Sequence, residues 1–249
     1  MATRRRTPLT IESNDPHVCT PDVRQHVLAH VAFFRDLTAD EIVDIDRHCR
    51  VEDFDAGNAV HLAGQPARRL FVVATGSAKL TRSTLDGVEV LLDVLLPGDH
   101  FGALPVLGSD AYTDSVWALT PLCVLSLDID AFDDILDHHP SVARAGLGVM
   151  ARRLEGSRSQ AYALAAATAE QRVAAALVML AARTGVRRAG GTILLDLPLS
   201  RDDLAALTGT ASESVSRTLA RLKRDGLIDT GRRWVTVRDL AALEQVATI

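Results

Sequence analysis

Glu213, Ser216 and Arg217 stand at i, i+3 and i+4 of a stretch with helical periodicity near the end of the chain. On a helix these three share one face, away from the apolar row Val215, Leu219 and Leu222, which recurs at i, i+4 and i+7. A helix fits the major groove of B-DNA, where Arg donates to O6 and N7 of guanine and Glu accepts from N4 of cytosine. The chemistry this triad offers is therefore the reading of base edges. A local alternative holds for Glu213, because Thr210-Ala211-Ser212-Glu213 has the spacing of a capping box with Glu213 at the third helical position. Thr210, Ser212, Arg221, Arg224, Arg232 and Arg233 are candidate phosphate contacts; for the arginines the alternative is plain surface charge.

The triad belongs to a longer pattern, Leu199 to Ile228, LSRDDLAALTGTASESVSRTLARLKRDGLI. With Arg201 as the first position of a helix-turn-helix, Leu204 and Ala205 fall at positions 4 and 5, Gly209 at 9 and Val215 at 15. Each has a mechanical reason. Ala205 is small where two helices cross, Gly209 permits a left-handed turn, and Leu204 and Val215 fill the wedge between the helices. Thr218 departs from the pattern, since a larger aliphatic residue is usual there; Leu219 and Leu222 offset it on the same buried face.

The elements that must position this module show in the texture of the rest. Residues 1–22 hold three prolines and a basic triplet, Arg4, Arg5 and Arg6, without apolar periodicity, and read as a flexible N-terminal arm. A helical pattern follows from Val23 to about Cys49, carried by Leu28, Val31, Phe34, Ile42 and Ile45. From Phe54 to Leu127 short apolar runs alternate with glycines, the pattern of a small β-barrel or jelly roll, with Asp86-Gly87 marking a hairpin. From Ser141 to about Thr168 a long helix is predicted. Leu147, Leu154, Ala161 and Thr168 recur every seven residues, and Met150, Ser157 and Leu164 form the partner row, an a/d seam suited to pairing with a second copy. The alternative is an amphipathic helix lying on its own barrel. A helix over Arg172–Arg183, a turn at Gly190-Gly191, a strand over Ile193–Leu197, a helix pair over Arg201–Asp225 and a β-run at Trp234–Val237 complete the pass.

At 249 residues, with 47% hydrophobic and 24% charged residues, the chain is ordinary for one large or two modest globular domains, which excludes wholesale disorder. No apolar run reaches the roughly 18 residues of a membrane span, and no apolar core follows the basic N-terminus as a secretory signal requires. The expected setting is cytoplasmic. The net charge of −5 hides an asymmetry: residues 1–170 carry 15 basic and 24 acidic residues, whereas residues 171–249 carry 12 and 8. Only the last third is suited to meet a polyanion. No P-loop, Gly-x-Ser-x-Gly, His-Glu-x-x-His or paired Cys-x-x-Cys is present, so catalysis is not expected and no metal site is assigned.

On these residues the chain resembles the CRP/FNR family of bacterial transcription regulators over roughly residues 23–240. The echoes are Pro97-Gly98-Asp99-His100-Phe101-Gly102, Met150-Ala151-Arg152-Arg153-Leu154 and Glu213-Ser214-Val215-Ser216-Arg217. The resemblance implies an α+β fold in which a cyclic-nucleotide-binding-like β-barrel (23–140) precedes a dimerisation helix (141–169) and a winged helix-turn-helix (170–249). Leu147, Met150, Leu154, Ala161 and Leu164 would line the helix seam. Homodimers, double-stranded DNA and RNA polymerase are the implied partners. Ser216, in place of the glycine of the CRP-like version, implies half-sites resembling TTGAT in an inverted repeat. The arginine bias, 25 of 27 basic residues, suits a high-GC source such as an actinobacterium, for example a mycobacterium.

The sensor residues depart from the family pattern. Where cyclic-AMP-binding members carry Gly-Glu-Leu and Arg followed by Ser/Thr, this chain has Gly102-Ala103-Leu104 and Thr113-Asp114. The missing charge-assisted contacts, each worth about 2 kcal/mol, disfavour strong cyclic-nucleotide binding by the usual route. Weak or rearranged cyclic AMP binding stays open. Cys19, Cys49 and Cys123 are too widely spaced for an FNR-type iron–sulfur cluster. They leave thiol redox sensing open, with Cys123 equally readable as a small core residue. Haem would need an axial ligand, and none of His30, His48, His61, His100, His138 and His139 is distinguished. A ligand-binding subunit acting through protein contacts is the competing function.

Overall fold

In the computed structural model, residues 19–102, 110–195, 197–231 and 234–248 are described. The arm up to residue 18, Ala103 and Leu104 of the sensor loop, and Arg232 and Arg233 lie outside them. The chain forms two compact units that divide between Ser157 and Arg158.

The first unit opens with helix α1 (Pro21–His30) and helix α2 (Ala39–His48). Pro21 occupies the first turn of α1, where its missing N–H breaks no helical bond, and Thr20 caps it by accepting from Val23 N. The helix thus begins inside the stretch expected to be a flexible arm. Thr38 and Glu41 make a reciprocal capping box at α2. Eight strands follow: β1 (Arg50–Phe54), β2 (Ala59–His61), β3 (Arg69–Thr75), β4 (Ala78–Ser83), β5 (Glu89–Leu95), β6 (His100–Gly102), β7 (Ser115–Ala118) and β8 (Leu122–Asp128). They form two four-stranded sheets, β1-β8-β3-β6 and β2-β7-β4-β5, so the expected barrel is a jelly-roll sandwich rather than a closed ring. The β4–β5 hairpin turns where Asp86-Gly87 predicted, with Thr84 N donating to Val88 O at 2.9 Å and Gly87 at φ +79°.

Alternation along β3 and β8 explains why both read as continuous apolar runs. Phe71, Val73, Leu122 and Val124 point between the two sheets, beside Leu95, Phe101 and Val116. Leu70, Val72, Cys123, Leu125 and Leu127 point the other way, onto Leu28 of α1, Ile42 and Ile45 of α2, and Phe132 of helix α3 (Ile129–His138). Helix α4 (Pro140–Ala166) adds Val142 and Val149 to this second core, with Met150 half-buried beside them. The long helix therefore ends before Thr168, the last residue of the predicted seam. Thr168 is instead the N-cap of helix α5 (Ala169–Thr184), in a capping box with Gln171.

The second unit packs α5 with helices α6 (Arg201–Thr208), α7 (Ser212–Arg224) and α8 (Leu240–Ala247). A small antiparallel sheet of order β11-β12-β10-β9 stands with them, built from β9 (Gly185–Arg187), β10 (Ile193–Leu195), β11 (Ile228–Gly231) and β12 (Trp234–Val237). The hairpin of β11 and β12 is the wing of a winged helix-turn-helix. No helix of the described residues is long and apolar enough to cross a membrane.

Candidate functional site

The helix-turn-helix is assembled as its spacing requires. Leu204 and Ala205 of α6 are buried, and so are Val215, Leu219 and Leu222 of α7. Thr218, the departure from the usual pattern, is buried as well, at 8% exposure. Gly209 closes α6 in the left-handed region (φ 59°, ψ 41°), and a Cβ there would stand 2.9 Å from Leu164 Cδ2. The left-handed conformation is what demands glycine here, since the Leu164 methyl is the far end of a flexible, exposed side chain that can move aside.

Burial of the apolar row turns the polar row outward. Glu213 and Arg217 are exposed and Ser216 is half-buried. Arg201 Nη1 donates to Ser216 Oγ at 3.3 Å, linking the two helices, and Arg217 Nη2 donates to Ser214 Oγ at 3.1 Å. The capping box that competed for Glu213 does not form. The N-cap of α7 is Ala211, without a side-chain cap bond. Thr210 N donates to Ala205 O at 3.0 Å, so Thr210 finishes the first helix rather than opening the second. Of the candidate phosphate ligands, Thr210 and Ser212 flank the turn, and Ser212 Oγ donates to Asp202. Arg224 is exposed, whereas Arg221 pairs with Glu170 at 2.9 Å and more distantly with Asp225.

Arg172 of α5 holds the turn in place, and sequence reasoning missed it. Its guanidinium donates to Thr208 O at 2.8 Å, Ala167 O at 2.7 Å and Gly209 O at 3.2 Å. The acceptors lie at the ends of α6 and α4, where unsatisfied carbonyls gather negative charge. Nothing in local spacing marks such a clamp, because its partners on α6 lie 36 and 37 residues away.

In the first unit Gly102, a predicted sensor residue, lies beside an aromatic interior. His61 stacks on Tyr112 with ring centroids 3.9 Å apart, and Phe71 stacks on Phe101 at 5.1 Å. Gly102 lies at φ +94°, where a Cβ would come within 2.6 Å of Arg69 O. At the cassette position, Thr113 Oγ1 donates to Asp114 Oδ2 at 3.0 Å, and Arg82 Nε of β4 pairs with Asp114 Oδ1 at 2.7 Å. Asp114 is therefore neutralised by an arginine rather than left as a bare charge beside the cassette position. Its arginine arrives from another strand, out of reach of a local motif. These residues do not fit a cyclic phosphate by the usual contacts, since Asp114 already occupies Arg82.

Two histidines stand out from the six candidates. Burial pushes His61 down to about 4, against the opposing pull of Asp114, and His100 down to about 3, with the nearby Arg153 cation adding to the effect. Each is neutral near pH 7, and each keeps one ring nitrogen without a hydrogen-bond partner, His61 Nδ1 and His100 Nε2. Arg153 of α4 donates to His100 O at 2.8 Å and thereby ties the helix to the start of β6. The three cysteines sit around one core: Cys123 is fully buried, and Cys19 and Cys49 pack against its cluster half-buried. Among the described residues no group of three or more His, Cys, Asp or Glu side chains is arranged to hold a metal ion.

Comparison with known proteins agrees with this architecture. Residues 171–246 match a Crp-like helix-turn-helix domain and residues 51–139 a cyclic nucleotide-binding domain. The chain is 29% identical over 221 residues to a CRP-like cAMP-activated global transcriptional regulator of Mycobacterium tuberculosis, covering 89% of this chain and 98% of that one. It is 30% identical to the transcriptional activator protein FnrL of Cereibacter sphaeroides, over 88% of this chain and 89% of the relative. The crystal structure of a CRP-family transcriptional regulator from Thermus thermophilus superimposes with a TM-score of 0.66 at 32% identity, over 79% of this chain and 96% of the other. These relatives are transcription regulators rather than enzymes. With a DNA-binding helix-turn-helix and a cyclic-nucleotide-binding-type domain in one chain, this protein belongs to the CRP/FNR family of bacterial transcription regulators.

Proposed function

We propose that this chain acts as a cytoplasmic homodimer that reads inverted-repeat DNA with TTGAT-like half-sites, under control of a small-molecule or redox signal received by the jelly roll. One observation carries the reading: α7 buries Val215, Leu219 and Leu222 while Glu213, Ser216 and Arg217 lie on its accessible side. Glu213, not engaged in a cap, is available to accept from cytosine N4, and Arg217 to donate to guanine. Arg224, Thr210 and Ser212 serve the phosphates, joined by Arg221 when it leaves Glu170, and by Arg232 and Arg233.

Dimerisation is supported by the α4 stripe. Leu147, Leu154 and Leu164 are 71%, 55% and 51% exposed, which is unusual for leucines recurring on one helix face. Pairing with a second copy through these leucines, Met150 and Ala161 covers the stripe and sets two recognition helices for grooves about 34 Å apart. RNA polymerase is the partner expected of a promoter-bound regulator. Cyclic AMP acts weakly or not at all, given the Arg82–Asp114 pair, and no iron–sulfur cluster is assigned.

The test is a gel-shift titration on a TTGAT palindrome across salt concentrations. Affinity should fall steeply with salt as phosphate contacts release counterions. Arg217→Ala should lose about 1–3 kcal/mol and relax sequence preference. Retention without salt dependence, or an unchanged preference in the variant, defeats the assignment; no DNA retention together with capture of a protein partner favours the regulatory-subunit reading.

A further inference from the structure

The chain's three cysteines, dispersed along the sequence, converge on the face of β8 that looks toward the helices. Cys123 is the β8 member, with Asp53 of β1 and Thr75 of β3 as its register neighbours. Cys19 stands directly before the N-cap of α1 and packs on the same cluster. Hydrogen bonding between the two thiols is the leading influence on both, which places them within reach of one another on this cluster. Cys49, at the end of α2, packs against the same cluster but takes no part in that bond.

The surroundings make the thiols unequal. Arg24 of α1 is held by Asp46 through two bonds of 2.8 and 2.9 Å, and its positive charge reaches both Cys19 and Cys49. The Cys123 thiol donates toward Cys19 and, with help from Arg24, draws the Cys19 pKa below its ordinary value against the opposing effect of burial. The same hydrogen bond, together with burial, pushes Cys123 up. Burial pushes Cys49 up to about 12. Cys19 is half-buried whereas Cys123 is at 0% exposure, so a reagent from solvent meets Cys19 first.

We propose that Cys19 and Cys123 form an oxidative modification site, in which a hydroperoxide converts the two neighbouring thiols into a disulfide that staples the entry of α1 to strand β8. The proposal rests on the reading of this unit as a sensor and names the pair through which it answers an oxidant. The Cys19 thiolate attacks one peroxide oxygen; an S–O bond forms, the O–O bond breaks, and hydroxide leaves to take up a proton as water. The sulfur of Cys123 then attacks the Cys19 sulfenic acid; the S–S bond forms, the S–O bond breaks, and a second water departs with the Cys123 proton. Two thiols lose two electrons and two protons, and one hydrogen peroxide becomes two waters.

The test treats the reduced full-length chain with hydrogen peroxide, blocks remaining thiols with N-ethylmaleimide, and reads intact mass and a tryptic map. Cleavage at Arg24, Arg47, Arg50, Arg82 and Arg144 places the three cysteines on separate peptides. The expected result is loss of two hydrogens, one thiol left for the maleimide, and a Cys19–Cys123 cross-linked peptide. Cys49→Ser should keep the cross-link. Cys123→Ala should leave Cys19 as a sulfenic acid that dimedone traps, and Cys19→Ser should abolish both. A cross-link through Cys49, a Cys19–Cys19 bond between chains, or three free thiols at a peroxide dose that oxidises a free model thiol overturns the proposal. DNA retention is measured separately on reduced chain, so that a failed gel shift with the cross-link formed refutes the DNA reading and leaves the thiol site standing, and the reverse result does the opposite.

Discussion

Acidification from pH 7.5 to 5.5 tests the buried histidines. His61 and His100 are 5% and 6% exposed, and their pKa values, about 4 and about 3, lie below the ordinary 6.5. In this window the unfolded chain binds protons at both rings and the folded chain does not, so stability falls as pH falls. One decade below the unfolded pKa, each ring disfavours the fold by about 1.4 kcal/mol, and the pair by about 3 kcal/mol. The loss continues at lower pH until each folded-state ring itself begins to bind a proton, near 4 for His61 and near 3 for His100. Urea unfolding of the first unit's transition, followed at several pH values, reads this as a falling midpoint. His61→Phe and His100→Phe each remove one ring, and each should flatten the pH dependence by about half of the pair's share. A double variant with the slope of the parent chain would refute the reasoning, because the lost stability would then arise elsewhere.

Arg172→Met removes three charge-assisted bonds to carbonyls and should destabilise the second unit by about 3 kcal/mol, with Arg172→Lys recovering only part because a point charge cannot span all three acceptors; urea unfolding reads both, and a change under about 0.5 kcal/mol refutes the clamp. Leu154→Glu should yield a folded monomer by sedimentation velocity, since the side chain is 55% exposed within one chain; a persistent dimer removes the stripe from the interface.

The helix-turn-helix was legible because its constraints are local. Gly209 must reach a left-handed conformation, and Val215, Leu219 and Leu222 repeat at helical spacing within one element. The hairpin at Asp86-Gly87 was legible for the same reason. What escaped the sequence was non-local. Arg82 completes Asp114 from 32 residues away, and Arg172 reaches across helices. The strand β7 is only four residues long and owes its existence to the edges of β2 and β4. The capping box at Thr210 failed through competition for one amide: the end of α6 claimed Thr210 N before α7 could begin there. The long-helix seam overran for a similar reason, since Thr168 carries the heptad spacing but serves the start of α5.

The two sheets of the jelly roll differ in how much room they leave for sequence drift. Strands β3 and β8 are enclosed on both sides, so neither parity of positions along them accepts a polar replacement without stranding it away from water. In the other sheet, β5 leaves Glu89 and Val90 in solvent, and β4 does the same for Arg82 and Ser83. A lineage that retunes what its sensor answers to can therefore vary the outward positions of the second sheet, while the first, with the inward Leu95 and Val116 of the second, stays the chassis on which every version must be built.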